Sequence, residues 1–217
     1  MEFVRKGRAS KDPETWAGHV ETMQKAGIEK WFIDSCGKIK YMFPKAHAAA
    51  YVISAFRIAW FKVHMPALYY ATYFSSRITD YDIEVMIKGY DAIKNKMAEI
   101  AAKGYDATNK ESAVLETLKI ALEATARGIK FAPIDLEKSA ATTFGVIDDK
   151  TILPSFSTID GLGDVVAKKI AEERETGSFL SIEDLQKRGK VSQTLIDKMR
   201  TMGILDGMDE SSQLSLF

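Results

Sequence analysis

The sequence of 217 residues predicts a mainly α-helical protein that contains one short β-hairpin. Three observations lead to this fold class. Apolar residues recur at i, i+3 and i+4 over most of the chain, which is the period of an amphipathic helix. Proline and glycine stand where these patterns begin and end. Only residues 133–157 alternate in the manner of strands, around the turn Asp148-Asp149-Lys150, so this segment is predicted to form the hairpin.

Composition excludes several classes of protein. The 46% hydrophobic and 28% charged residues are ordinary for a globular chain, and the net charge is zero. The single cysteine, Cys36, rules out an internal disulfide and a Cys-x-x-Cys metal box. No stretch approaches the ~20 apolar residues of a membrane span. We therefore expect a soluble, cytoplasmic protein without a membrane partner.

The first two helices are predicted from their ends. "DPETWAGHVETMQKAG" has Asp12 as a cap, Pro13 at the first helical position and Gly27 as a stop. "IEKWFIDSCGKIKYMF" is predicted to continue as a second helix. In "PKAHAAAYVISAFRIAWFKVHMP", a third helix is predicted to end before Pro66. Its apolar stripe is predicted to be buried in the core; its members are Ala49, Ile53, Phe56, Trp60 and Val63.

The stretch from Ser35 to Thr79 has a strong local charge bias. It contains no Asp or Glu, but six Lys or Arg, two His and ten aromatic residues. Cations interleaved with aromatic rings suit a nucleic acid or a nucleotide, because phosphates attract cations and bases stack on flat rings. The alternative is an aromatic core with lysines that extend to solvent. The missing carboxylates favour an anionic partner.

The start of the third helix is the best candidate for binding that anion. Pro44 opens the helix, and Lys45 and His47 lie in its first turn, where unpaired N–H groups already present positive charge. A phosphate would satisfy these N–H groups and both side chains.

The stretch "IKYMFPKAHAAAYVISAFRIAWFKVHMPALYYATYFSSR" resembles the fingers region of bacterial C-family replicative DNA polymerases, and it is closest to the PolC type. The upstream "VRKG" also resembles a basic element of that family near the triphosphate of the incoming nucleotide. The resemblance implies that Arg5, Lys6, Arg8, Lys45 and His47 are nucleotide-binding candidates.

The middle of the chain shows no catalytic constellation, and the segment after it predicts a second binding site. In "IDGLGDVVAKKIAEERETGSFLSIEDLQKRG", a tight turn precedes an amphipathic helix, as in a helix-hairpin-helix. The glycines let backbone N–H groups approach a DNA phosphate, and the lysines attract it without reading bases. A hairpin used only for packing is the alternative. The DNA-binding candidates are Gly161, Leu162, Gly163, Lys168 and Lys169.

The chain ends with an apolar tail, although free ends are usually polar. "QLSLF" resembles the pentapeptide that binds the bacterial sliding clamp, the beta subunit. Its apolar side chains would fill hydrophobic pockets, and the preceding acidic residues would act as a flexible tether. A tail folded onto its own core is the alternative. The clamp-binding candidates are Gln213, Leu214, Ser215, Leu216 and Phe217.

The resemblance implies four segments: a fingers portion (1–132), a β-hairpin connection (133–157), a duplex-binding helix-hairpin-helix module (158–206) and the tail (207–217). It implies the C-terminal part of a DNA-directed DNA polymerase, whose partners are primer-template DNA, dNTP, the clamp and the remainder of the polymerase chain.

No palm-like carboxylate motif is found in this sequence. The two Mg²⁺ ions of polymerisation are therefore expected in the complete polymerase rather than on this segment, which is predicted to be inactive alone. The remaining alternatives are a stand-alone, non-catalytic, clamp-tethered DNA-binding module and, less favoured, a nucleotidyltransferase complete in itself.

Overall fold

The computed structural model describes residues 2–211, and the chain divides into two compact units, residues 1–59 and 60–217. Helices dominate both units, which confirms the predicted fold class. The α-helices are α1 (Glu2–Arg5), α2 (Pro13–Lys25), α3 (Lys30–Lys38), α4 (Lys45–His64), α5 (Pro66–Arg77), α6 (Ile83–Ile87), α7 (Tyr90–Ala102), α8 (Asn109–Ala126), α9 (Asp164–Glu175), α10 (Ile182–Gly189) and α11 (Gln193–Thr201).

Helix α2 forms as its sequence predicts. The side chain of Asp12 accepts a hydrogen bond from the backbone N–H of Thr15 at 3.1 Å, and Pro13 is the first helical residue. This pairing satisfies one of the unpaired N–H groups at the start of the helix. Gly27 follows the helix with a φ of 73°, a left-handed conformation that glycine adopts without steric cost.

Helix α3 is shorter than predicted, because it ends at Lys38 instead of continuing to Phe43. Ile39 is extended, and the N–H of Met42 donates to the carbonyl oxygen of Arg5 at 2.9 Å. Met42 therefore bonds to the "VRKG" segment rather than to its own helix. Helical periodicity alone does not reveal this hydrogen bond to a residue far away in the sequence.

Helix α4 forms as predicted, but the prediction that its apolar stripe is core is wrong. No residue of α4 is buried, and the exposed fraction is 73% for Phe56 and 66% for Val63. Periodicity identifies which residues share a helix face, whereas burial also needs a second element to cover that face. Among residues 2–211, no element does so.

A small sheet lies in the second unit. Strands β2 (Gly145–Asp148) and β3 (Thr151–Leu153) are antiparallel and form the predicted hairpin. Strand β1 (Lys130–Phe131) pairs in parallel with the other edge of β3, which the sequence analysis missed because the strand has only two residues. The order within the described residues is β1-β3-β2.

One hydrophobic core runs through the second unit. It contains Phe74 from α5, Leu118 from α8, Ile152 from β3 and Ile170 from α9, each fully buried. Helix α9 thus packs into the same core as the sheet and the preceding helices. Over residues 2–211, every helix is too short or too polar to cross a membrane.

Candidate nucleic-acid interface

The turn before α9 has the geometry that the sequence predicts. Gly161 has a φ of 87°, and Leu162 points into the core with 3% exposure. The N–H of Leu162 donates to the carbonyl oxygen of Ile159 at 2.9 Å, which closes the turn. Gly163 follows as the N-cap of α9. The turn is anchored by one buried side chain between two exposed glycines.

The first turn of α9 lacks a cap. Gly163 has no side chain to accept a hydrogen bond, and within residues 2–211 nothing pairs with the N–H groups of Asp164, Val165 and Val166. A Cβ at Gly163 would meet nothing within 4 Å, and its φ of −74° is ordinary. Neither the fold nor the backbone conformation therefore requires glycine at 163.

The two predicted lysines of α9 differ. Lys168 is exposed and has no ion pair within the described residues. Lys169 Nζ lies 2.7 Å from Oε1 of Glu173, and this hydrogen bond raises the pKa of Lys169. Lys168 is therefore the more available cation of the pair.

Sequence reasoning missed a second hairpin with the same geometry, between α10 and α11. Lys190 has a φ of 55°, Val191 is buried, and Ser192 is the N-cap of α11 with φ −70° and ψ 156°. The corresponding values at Gly163 are −74° and 160°. Ala167 and Ile170 of α9 are matched in α11 by two further fully buried residues, Ile196 and Met199.

A signal for this second hairpin was present in the sequence. The apolar residues Leu162, Ala167 and Ile170 repeat with the same spacing as Val191, Ile196 and Met199. The repeat is hard to recognise because lysine replaces glycine at the left-handed position.

Two arginines fix the loops around these hairpins. Arg174 of α9 donates to the carbonyl oxygens of Leu136 and Ser139 at 2.9 and 2.8 Å, and so fastens α9 to the segment before the sheet. Arg188 of α10 closes the loop that joins α9 to α10. Its guanidinium donates to Glu173, Thr176, Gly177, Ser178 and Asp184, and lies 4.8 Å from the ring centroid of Phe179.

The first N–H groups of α10 are paired with carbonyl oxygens from a later part of the chain. The N–H of Ile182 donates to the carbonyl oxygen of Asp209 at 2.9 Å, and that of Glu183 to Glu210 at 3.1 Å. Residues 209–211, at the start of the predicted tail, are thus hydrogen-bonded to α10. All five clamp-binding candidates, Gln213–Phe217, lie outside the described residues.

The nucleotide-binding candidates lie in the first unit, where three of them are placed by the contact between "VRKG" and residues 40–42. Gly7 permits that contact, because a Cβ there would lie 2.0 Å from the carbonyl oxygen of Lys40. Arg5 pairs with Glu2 (Nε to Oε1, 2.7 Å), and this bond holds the pKa of Glu2 at about 2. Lys6 lies 3.4 Å from the same carboxylate. Arg8 is exposed.

The remaining two candidates, Lys45 and His47, are exposed in the first turn of α4, as predicted. The N–H of Ala48 donates to the carbonyl oxygen of Pro44 at 3.1 Å, which starts the helix. His47 stacks on Phe43, with ring centroids 5.3 Å apart, and Phe43 contacts Tyr41. Arg5 lies 5.9 Å from the Tyr41 ring centroid. Arg5 and His47 are therefore connected through two aromatic rings.

The described residues contain no group of three or more His, Cys, Asp or Glu that could hold a metal ion.

Part of the chain matches a known motif family. Residues 128–214 match the helix-hairpin-helix motif family, so this part of the chain contains a helix-hairpin-helix. This confirms the prediction that the chain contains a helix-hairpin-helix, and the matched residues include the Gly161–Gly163 turn.

Over its full length the chain is similar to DNA polymerase III of the PolC type. It is 53% identical over 218 residues to the protein of Lactococcus lactis and 52% identical over 217 residues to that of Bacillus subtilis. It is 49% identical over 217 residues to that of Caldanaerobacter subterraneus. Each match covers 100% of this chain but only 13 to 15% of the relative. The resemblance to PolC-type polymerases is therefore confirmed.

Proposed function

We propose that this chain works as a segment of a replicative DNA-directed DNA polymerase in the bacterial cytoplasm. In this proposal the second unit binds primer-template duplex, the first unit binds the incoming dNTP, and the tail binds the sliding clamp. The names of the relatives support the reaction class. Catalysis by Mg²⁺ and carboxylates is assigned to the remainder of the polymerase chain, so we expect the segment alone not to polymerise.

The observation that carries the proposal is the uncapped start of α9 behind the Gly161–Gly163 turn. Three N–H groups there have no partner within the described residues, and Gly163 leaves open space above them. A DNA phosphate would accept hydrogen bonds from these groups and be attracted by the helix dipole. Such contacts go to the backbone of the duplex, so we expect binding without sequence preference.

Charge around the two hairpins supports the same assignment. Lys168 on α9 and Lys190 in the second hairpin are both exposed. Two hairpins of the same geometry would let the unit hold two phosphate positions, one at each turn. The electrostatic part of this binding should weaken steeply as salt rises, because bound cations release counterions from DNA.

Nucleotide binding by the first unit is supported by arrangement and charge. Arg5 and Lys6 lie in the segment that contacts residues 40–42, and Arg8 follows it. Lys45 and His47 occupy an exposed helix start whose first N–H groups have no partner among residues 2–211. A triphosphate is the anion that would use several such donors together.

In the complete polymerase, Lys45→Ala should raise the KM for dNTP about tenfold, since one charge-assisted hydrogen bond contributes ~1.5–3 kcal/mol.

The decisive experiment measures duplex binding by the 217-residue chain. Fluorescence anisotropy with a labelled duplex would be recorded at several salt concentrations for the parent chain and for Lys168→Ala/Lys169→Ala. We expect weaker binding and a shallower salt dependence, by about one unit of slope for each phosphate that the removed lysines neutralise. Lys119→Ala is the matched control, because Lys119 is an exposed lysine of α8 outside both hairpins. Equal affinity and slope in the double variant would refute the assignment.

A further inference from the structure

The first unit carries an exposed row of aromatic rings that the proposed nucleotide site uses only in part. The row, here called the aromatic ladder, consists of Tyr41, Phe43, His47 and Tyr51. Neighbouring ring centroids are 4.8 Å apart for Tyr41–Phe43, 5.3 Å for Phe43–His47 and 4.6 Å for His47–Tyr51. The stacked and edge-on rings thus join the loop before α4 to its first two turns.

These rings lie on the surface, although aromatic rings contribute most to stability when they are buried. The exposed fraction is 56% for Tyr41, 54% for Phe43 and 67% for Tyr51. The planes of Phe43 and His47 differ by only 10°, so they form a stacked pair within this exposed row. The ladder is therefore an open stacking surface.

Charge distinguishes this surface from two other exposed rings, those of Trp31 and Tyr105. Lys40 and Lys45 flank the ladder, and no Asp or Glu occurs between residues 35 and 79. In contrast, the exposed Trp31 hydrogen-bonds to the carboxylate of Glu29, and the exposed Tyr105 is followed by Asp106. Those rings have acidic neighbours that would repel a phosphate backbone. The nearest charged residues of the ladder along the chain are cations.

We propose that the aromatic ladder binds single-stranded DNA by stacking its bases, while Lys40 and Lys45 attract the intervening phosphates. Unpaired bases expose the flat faces that such stacking needs, whereas bases within a duplex are already stacked on one another. The partner is thus an unpaired strand, such as template that has not yet been copied. This choice of partner rests on the proposed polymerase function.

The test compares two labelled oligonucleotides of equal length, an oligothymidylate and an abasic strand with the same phosphates, by anisotropy with the 217-residue chain. We expect the base-bearing strand to bind more tightly. Phe43→Ala and Tyr51→Ala should each weaken its binding by about fivefold or more, and leave abasic binding unchanged, because only stacking is removed. Phe43→Tyr should restore affinity, since it restores a ring.

Two controls lie on exposed aromatic residues with acidic neighbours. Trp31→Ala and Tyr105→Ala should change the affinity by less than about twofold, because neither ring belongs to the ladder. Since the ladder residues are exposed, we expect circular dichroism to show parent-like helix content in each variant. A variant that unfolds would be replaced by its leucine counterpart, which keeps volume but lacks a ring.

Three results would overturn the inference. Equal affinity for abasic and base-bearing strands would show that the rings do not stack bases and would favour a protein-packing face. An equal effect of the ladder and control substitutions would show that the ladder has no special role. If free dNTP displaced the strand when its concentration was similar to that of the bases in the strand, the ladder would be a nucleotide-binding site rather than a site for single-stranded DNA. Duplex binding by α9, measured in parallel, tests the proposed function separately.

Discussion

Lys198 of α11 donates its Nζ to both the main-chain oxygen and the Oδ2 of Asp160, each at 3.2 Å. Asp160 immediately precedes the first hairpin, and its Oδ1 also accepts from Lys110 of α8 at 2.5 Å. One carboxylate thus connects three parts of the second unit. The same carboxylate lies beside the surface that we propose for DNA, where it occupies two lysines that would otherwise attract a phosphate.

Replacing Asp160 with asparagine should lower stability and strengthen DNA binding. The loss should be roughly 0.5–1 kcal/mol, since these ion pairs are partly exposed and screened by solvent. Removing a negative charge beside a phosphate site should raise duplex affinity. Urea unfolding and anisotropy measure the two effects. Asp149→Asn, in the exposed β2–β3 turn, is the control, and equal duplex affinity in Asp160→Asn and the parent would contradict the prediction.

The stability effect of Asp160 should depend on pH. Hydrogen bonds from Lys110 and Lys198 lower the pKa of Asp160 in the folded chain. A lowered folded pKa means that the ionised carboxylate stabilises the fold above the pKa of an unfolded aspartate, about 4, and less as pH falls through the folded pKa. The difference in unfolding free energy between parent and Asp160→Asn should therefore be full at neutral pH and shrink below about pH 4.

Gly7→Ala should destabilise the first unit. The new Cβ would lie 2.0 Å from the carbonyl oxygen of Lys40, and the φ of +63° is unfavourable for any side chain. Backbone cannot move aside as a flexible side chain can, so we expect a loss of about 1–3 kcal/mol. Hydrogen exchange at residues 39–43 would show where the change acts.

Gly18→Ala is the matched control for Gly7→Ala. Gly18 lies within α2, and a Cβ there meets nothing within 4 Å. Alanine should therefore stabilise that helix by about 0.5–1 kcal/mol. If both alanine variants changed the exchange at residues 39–43 alike, the proposed contact between Gly7 and Lys40 would not determine the stability of this region.

Arg188→Lys should destabilise the second unit although it keeps the charge. A lysine cannot reproduce the guanidinium's donors to the α9–α10 loop or its planar contact with Phe179. We expect a lower melting temperature, because three carbonyl oxygens of the loop, those of Glu173, Gly177 and Ser178, lose their donor. Thermal unfolding measures this change. The neighbouring Lys187→Arg should be neutral, and a neutral Arg188→Lys would mean that the loop does not depend on the guanidinium.

Lys190→Gly should separate stability from binding. Lysine at a φ of 55° is strained, so glycine should stabilise the second hairpin by roughly 1 kcal/mol. If Lys190 contacts a phosphate, the same variant should bind duplex DNA more weakly and with a shallower salt dependence. The melting temperature should therefore rise while the affinity for duplex DNA, measured by anisotropy, falls. If both rose, Lys190 would not be part of the DNA-binding surface.

The tail should bind the sliding clamp as a short peptide. Burial of Leu214, Leu216 and Phe217 would contribute ~1.5–3 kcal/mol each, but ordering a free peptide offsets much of this, so micromolar affinity is expected. Calorimetry with purified clamp and the peptide SSQLSLF measures it. Leu216→Ala/Phe217→Ala should abolish the heat, whereas Ser211→Ala, outside the pentapeptide, should not. Absence of heat with the parent peptide would refute clamp binding.

The sequence by itself determined which segments form helices and where the first hairpin turns. Pro13, Asp12 and Gly161 act through their own backbone and nearest neighbours, so their effects can be read from contiguous residues. These features are local, and the structure contains them as predicted.

Only the tertiary structure decided which faces are covered and which distant groups meet. The stripe on α4 has helical period but lies exposed, because no described element packs over it. Helix α3 ends early because Met42 bonds to Arg5, and the aromatic ladder forms because the loop before α4 returns its rings to the helix. Burial and pairing depend on partners far away in the chain, whose positions the order of neighbouring residues does not specify.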